Sequence, residues 1–313
     1  AEYAELLKKI EFCKAILASE KKVEGLIKEE LEAIKKKYGD VRRTEIIGEV
    51  EELEVEDLIA EEDVVVTISH GGYIKRLPVS AYRKQKRGGT GASGAEVKEE
   101  DFVEHLFVAS TKDYLLIFTD KGQVHWLKVY EIPQASRTSK GKAIINLIQL
   151  DAGYKISSTI PVKEFSSDKY LVMVTKLGQI KKTRLDAYGN PRKGGIIGIT
   201  LDKGDELIGV GLTDGKQEFL IGTRQGKAIR FSETKVRDMG RQAGGVRAIS
   251  LAKKDEAIDM VLPQKGATIL TVTELGFAKR TPVEEYRLTS RGGKGIINIK
   301  VTDKNGEAVN LKT

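Results

Sequence analysis

The residues best suited to hold an anion lie in one short stretch, Gln85-Lys86-Arg87-Gly88-Gly89-Thr90-Gly91. Its glycines let the main chain approach a ligand closely and turn N–H groups outward. Lys86 and Arg87 add charge, and a guanidinium can fork onto two phosphate oxygens. The stretch does not open a helix, which excludes a dinucleotide-binding fingerprint. On composition alone it reads either as a phosphate cradle or as a plain turn between strands. No other chemistry stands out. The sequence holds no G-x-x-x-x-G-K-[ST], H-E-x-x-H or G-x-S-x-G pattern, and His70, His105 and His125 lack metal-ligand spacing. Cys13, the single cysteine, excludes an intramolecular disulfide and a cysteine-rich zinc site. Tyr73, Tyr114 and Tyr188 have no acidic metal ligands or arginine cluster fixed beside them to make a nucleophile. No catalytic group, metal or cofactor is expected.

The elements that position this stretch are repeats. Short apolar strands at Val64 to Ile68, Tyr114 to Phe118, Tyr170 to Val174, Glu218 to Ile221 and Ala267 to Val272 each run into a turn glycine: Gly72, Gly122, Gly178, Gly226 and Gly276. The glycines are 50, 56, 48 and 50 residues apart. A second, basic strand follows each, carrying Lys75 and Arg76, Lys128, Lys181 and Lys182, Lys227 and Arg230, and Lys279 and Arg280. Each repeat then has a basic glycine-containing loop: Gly88-Gly89, Gly141, Gly194-Gly195, Gly244-Gly245 and Gly292-Gly293. Further strands are expected after such loops, as at Ala143 to Leu147 and Gly295 to Ile299. A period near 50 residues with about four strands predicts a mainly β fold of radial, propeller-like blades, with a β-sandwich array as the alternative. The near-continuous apolar first strands suit layers covered on both faces.

Before the repeats, residues 1 to 38 carry apolar positions at spacings of three and four, from Tyr3, Leu6, Leu7 and Ile10 to Leu31 and Ile34. Two helices are expected, broken near Ala18 and Ser19, with Ser19 as N-cap and Gly39 as a left-handed C-cap. Two helices cannot bury such a stripe by themselves, so it belongs against a coiled-coil arm or a second protomer. From Glu45 to Asp63 there are ten acidic residues and no Lys or Arg, a tether or an intramolecular competitor for a basic surface. The expected domains are thus 1 to 44, 45 to 63, and 64 to 313.

Charge separates the parts. Residues 1 to 63 hold 11 Lys/Arg against 19 Asp/Glu, a net of −8, and residues 64 to 313 hold 42 against 27, a net of +15. So basic a domain faces a polyanion, nucleic acid or an anionic membrane surface. No apolar run approaches the roughly 18 residues of a membrane span, no secretory leader is visible, and the cysteine usage fits a reducing cytoplasm.

The stretch Gln85 to Gly91 resembles Q-R-R-G-G-K-G, the box of the C-terminal domain of bacterial DNA gyrase A subunits. Similarity extends through Tyr38 to Glu45, Glu56 to Thr67 and Ile74-Lys75-Arg76, so it spans essentially the whole chain. Lys86 and Thr90 depart from the usual Arg and Lys, which lowers the loop's charge by one. The resemblance implies a β-pinwheel whose neighbouring blades share strands, preceded by the returning part of a coiled-coil arm. It implies wrapping of duplex DNA around a basic rim, with little sequence preference, so that a type II topoisomerase introduces negative supercoils. Its partners would be the rest of a gyrase A dimer and gyrase B, which hydrolyses ATP, in an A2B2 complex in the bacterial cytoplasm, with no membrane. The nucleophilic tyrosine would lie upstream, so this chain alone catalyses nothing. Family members usually have six blades; the 37 residues after Gly276 leave the sixth missing, with Ile296 to Ile299 and Val301 to Leu311 as edges that would pair with it. The expected DNA contacts are the box with Arg83 and Lys84, the second-strand cations above, and the loop cations Arg137, Lys140, Lys142, Arg192, Lys193, Arg241, Arg291 and Lys294. The related pinwheel of topoisomerase IV and a protein-binding blade scaffold are the rival readings.

Overall fold

The computed structural model describes residues 2–40, 44, 55–81, 101–136, 139–151 and 153–313. The chain divides into two units, Ala1–Leu53 and Glu54–Thr313. The first contains helix α1, Glu2–Leu17, and helix α2, Glu20–Tyr38. They break at Ser19, whose extended backbone (φ −145°, ψ 111°) presents its carbonyl to Lys22 and Val23 N–H. Gly39 corrects the expected left-handed cap: its φ is −67°, and its N–H closes on the Lys35 carbonyl. Within this unit Leu6, Ile10, Leu17, Ile27, Leu31 and Ile34 remain exposed, so the apolar stripe is unburied.

The second unit is five β-sheets, one per repeat. First strands at Asp63–Ser69, Tyr114–Thr119, Tyr170–Thr175, Glu218–Thr223 and Thr268–Thr273 pair antiparallel with second strands at Tyr73–Pro78, Gln123–Lys128, Gln179–Arg184, Lys227–Ser232 and Ala278–Pro282. A third strand returns to the other side of each first strand: Val103–Ser110, Ile156–Val162, Leu207–Thr213, Ala257–Val261 and Ala308–Lys312. Successive third strands from Ile156–Val162 onward pack on one another, which puts them at the hub and the second strands outside. First strands are buried along almost their whole length in the first four sheets, as apolar runs without alternation require.

The fourth strand of each of the first four sheets comes from the following repeat. Lys142–Ala143, Ile196–Ile197, Val246–Arg247 and Ile296–Ile297 pair with the second strands of the first, second, third and fourth sheets. The turn glycine receives this loan: Gly122 accepts hydrogen bonds from Gly198 and Ile199, Gly178 from Ala248, and Gly226 from Asn298 and Ile299. These strands are two residues long, shorter than expected; after Ala143 the chain closes a 3-10 turn at Ile144–Asn146, with Ile144 N–H on the Gly72 carbonyl. The expected free edges are also corrected. Ile296–Ile297 completes the fourth sheet, and Ala308–Lys312 is the fifth sheet's own third strand, with Leu311 fully buried. Apolar clusters fill the spaces between adjacent sheets, for example Leu116, Phe118, Leu171 and Met173 between the second and third.

Candidate nucleic-acid interface

The second-strand cations sort into two layers by what they touch. Lys75 and Lys181 are 1% and 0% exposed. Lys75 Nζ donates to the carbonyls of Ser136 (3.1 Å) and Ser139 (2.8 Å), and Lys181 Nζ to those of Gly198 (2.6 Å) and Arg241. Burial, with the Arg241 guanidinium second, pushes the Lys181 ammonium down to about 7. One residue further along, the side chain again reaches the next repeat. Arg76 donates to Ile132 O (2.7 Å) and Tyr130 O (3.4 Å), Trp126 Nε1 to Tyr188 O (2.9 Å), and Arg230 to Val283 O (2.8 Å) and Tyr286 O (3.0 Å). Lys182 is buried and pairs with Asp238 at 3.0 Å.

These residues staple one blade to the next, because a main-chain carbonyl with no water beside it needs a donor. Of the expected contacts, Lys75, Lys181 and Lys182 are thus buried in inter-blade contacts, while Arg76 and Arg230 make such contacts and stay half-buried. Lys128 is likewise engaged, with Glu56 at 2.7 Å and the Tyr114 ring 3.8 Å from its Nζ. Lys227 is half-buried, while Lys279 and Arg280, on the fifth sheet, are exposed; Lys279 Nζ donates to Asn298 O at 3.2 Å.

The loop cations form the outer layer. The loops before Lys142–Ala143, Ile196–Ile197, Val246–Arg247 and Ile296–Ile297 lead into the outer edge of the preceding sheet, and Lys142, Arg192, Lys193, Arg291 and Lys294 stand exposed in or beside them, at differing register positions. Lys140 is half-buried over the Tyr73 ring (3.8 Å) and Arg241 is half-buried. Arg291 donates to the carbonyls of Lys235 and Arg247, which holds its loop down while the side chain stays accessible. Arg83, Lys84, the stretch Gln85 to Gly91, and Arg137 lie outside the described residues.

Sequence reasoning missed Arg247, an exposed cation directly after Gly244-Gly245-Val246, which in pairing register takes the place of Ala143 in the first sheet's outer strand. It also missed Arg287, which with Arg230, Ser290 and Lys294 lines a cavity of about 150 Å³ between the fourth sheet and the fifth repeat's loop. The acidic side of the repeat was missed too. Asp205 accepts from Leu177 N–H and Asp255 from Gln225 N–H, capping the glycine turns. Ion pairs run from Lys121 through Glu206, Lys176, Glu256 and Arg224 to Glu307, joining the second to the fifth blade. The signal was present as an acidic residue opening each later third strand. Among the described residues no cluster of His, Cys, Asp and Glu could hold a metal ion.

A succession of repeated sheets, the first four each finished by a strand from the next repeat, with basic loops at the outer edge, defines a propeller-like wheel of the pinwheel kind. A family model described as "DNA gyrase C-terminal domain, beta-propeller" matches residues 63–110, 113–163, 169–214, 217–263 and 267–313, one match per blade. The chain belongs to that family. It is 48% identical over 317 residues to the DNA gyrase A subunit of Staphylococcus epidermidis (strain ATCC 12228 / FDA PCI 1200), covering 100% of this chain and 36% of that protein. To the DNA gyrase A subunit of Salmonella typhimurium it is 46% identical over 284 residues, covering 91% and 32%. The chain thus spans about a third of the length of these relatives. Among solved structures, the C-terminal domain of DNA topoisomerase IV superposes with TM-score 0.68 at 30% identity, covering 81% of this chain and 78% of that one. The DNA gyrase A C-terminal domain superposes with TM-score 0.66 at 25% identity, covering 80% and 82%.

Proposed function

We propose that the wheel binds duplex DNA along its rim and bends it, reading backbone charge and deformability in preference to base edges. The observation that carries this is that exposed cations recur in or beside the outer-edge loop and strand of successive repeats: Lys142, then Arg192 and Lys193, then Arg247, then Arg291 and Lys294. Arginines and lysines arrayed at a blade's spacing suit a regular polyanion that follows the rim, and neutralising phosphates releases counterions. In sequence order the stretch Gln85 to Gly91, with Arg83 and Lys84, falls between the second and third strands of the first repeat, and in this reading it would anchor one end of the wrap. In this reading the module extends over residues 64 to 313, and the apolar stripe of residues 1 to 44 packs in a coiled-coil arm. The whole protein is then a gyrase A dimer acting with gyrase B in the bacterial cytoplasm, where wrapping lets ATP hydrolysis drive negative supercoiling. The topoisomerase IV likeness is one of fold; the identities of 46% and 48% with the gyrase relatives favour gyrase.

The test is binding of duplex DNA against salt, with ligation of nicked circles on the protein. If about six to ten phosphates are neutralised, log K falls against log salt with a slope of roughly −5 to −9, and ligation traps a shifted linking number. A flat salt response with no linking change would leave a protein-binding scaffold instead.

A further inference from the structure

The third residue after the turn glycine is Lys75, His125, Lys181, Ile229 and Lys279 in the five repeats. In the first and third repeats this lysine is buried under the loop that the following repeat lays across it. Its targets are main-chain carbonyls of that loop, Ser136 and Ser139 in one case and Arg241 in the other. In the second repeat the same place holds His125, 1% exposed, with neither ring nitrogen hydrogen-bonded among the described residues. The loop above it comes so close that a side chain on Gly195 would strike the imidazole at 2.6 Å. The loop carrying Arg192 and Lys193 therefore rests on a ring, where its neighbours are tied by an amine.

We propose that Lys75 and Lys181 are positioning residues for DNA, each fixing through carbonyls a loop that carries rim cations, half-buried Lys140 in one case and half-buried Arg241 in the other, and that His125 leaves the loop of Arg192 and Lys193 untied. The proposal rests on the DNA-binding reading above. A loop that is held in one shape loses no freedom when it meets a phosphate, whereas an untied loop must be ordered at the expense of affinity. Lys181 itself is too deeply buried to reach a phosphate, so its influence must pass through Arg241 and the residues beside it.

The experiment is a double-mutant cycle on the whole chain, read by duplex binding at fixed salt and by amide exchange of residues 240–245. Lys181→Met and Arg241→Ala should each weaken binding about three- to tenfold, the size of one lost phosphate contact, and the double variant should be no worse than either. Exchange across 240–245 should quicken at least about tenfold in Lys181→Met, and Lys181→Gln, which keeps a donor, should recover most of both effects. His125→Lys should slow exchange in 191–195. Additive losses in the double variant would overturn the proposal, as would unaltered exchange in 240–245 or a lowered melting temperature with unaltered binding. Should Lys181→Met not fold, Lys75→Met, read by duplex binding and by amide exchange of Ser139 to Lys142, decides the same question, and unaltered binding or exchange there would overturn the proposal. Failure of the unsubstituted chain to bind duplex at low salt would instead remove the DNA reading, and this inference with it.

Discussion

Lys181 shows how one residue sets a pH response. Its ammonium is pushed from 10.5 down to about 7 in the fold, first by burial and then by Arg241. The unfolded chain therefore holds a proton that the folded chain has released between about pH 7 and 10.5, and this lysine's contribution to stability rises with pH across that window and is level below it. The stability difference between the parent and Lys181→Met should accordingly grow in the parent's favour from about pH 7 to about pH 9.5, measured by denaturant unfolding. A neutral amine keeps two N–H groups for the carbonyls of Gly198 and Arg241, so the staple survives deprotonation. Two turn glycines isolate a second effect. Gly226 and Gly276 have φ of 74° and 81°, but a Cβ on Gly226 would run into the Ile299 carbonyl, whereas one on Gly276 meets nothing within 4 Å. Gly276→Ala should cost about 1–2 kcal/mol for the left-handed backbone alone. Gly226→Ala should cost at least about 3 kcal/mol, because the loaned strand must also move.

At the scale of elements, the period was legible because every repeat needs a turn glycine, a covered first strand and a donor-rich second strand. Each of these has its own residue signature. What was not legible is which neighbour a side chain serves. Lys75 and Lys142 look alike in a basic sequence, yet one lies under a crossing loop and the other beyond it. Burial on the second strand is decided by a segment some 60 residues later in the chain, as the Lys75–Ser136 and Lys181–Arg241 contacts show, and no local pattern encodes that. Expecting a full strand at Ala143 to Leu147 failed for a related reason: apolar Ile144 is buried by a 3-10 turn after two paired residues. The ion-pair ladder also belongs to this scale. Glu256 sits between Lys176 at 3.4 Å and Arg224, bridging the third and fourth blades, with 21% of its side chain exposed. Partly solvated pairs are weak, so Glu256→Gln should destabilise by about 0.5–1 kcal/mol at low salt and by less at about 1 M, as a double-mutant cycle with Lys176→Met would measure.

On the scale of the whole molecule, the charge division leaves the wheel at +15 and puts its accessible cations outside and its acidic ladder near the glycine turns. Replacing both Lys86 and Arg87 with Ala should remove about two units of the salt slope and leave binding detectable, since these are two of 42 cations in residues 64 to 313. The sharing of strands is directional as well. Ending the chain after Pro263 should leave Lys227–Ser232 without Ile296–Ile297 and Leu288–Thr289, and hydrogen exchange along that second strand should rise. Deleting residues up to Ser110 removes the first sheet and takes no strand from the other four. During translation this polarity gives each blade a waiting time. Lys128 leaves the ribosome several seconds before Ile196 does, at about 5–20 residues per second. A nascent wheel therefore always ends in one blade whose outer edge is bare, and a stall within a repeat would prolong the interval in which a foreign strand could occupy the place kept for the next.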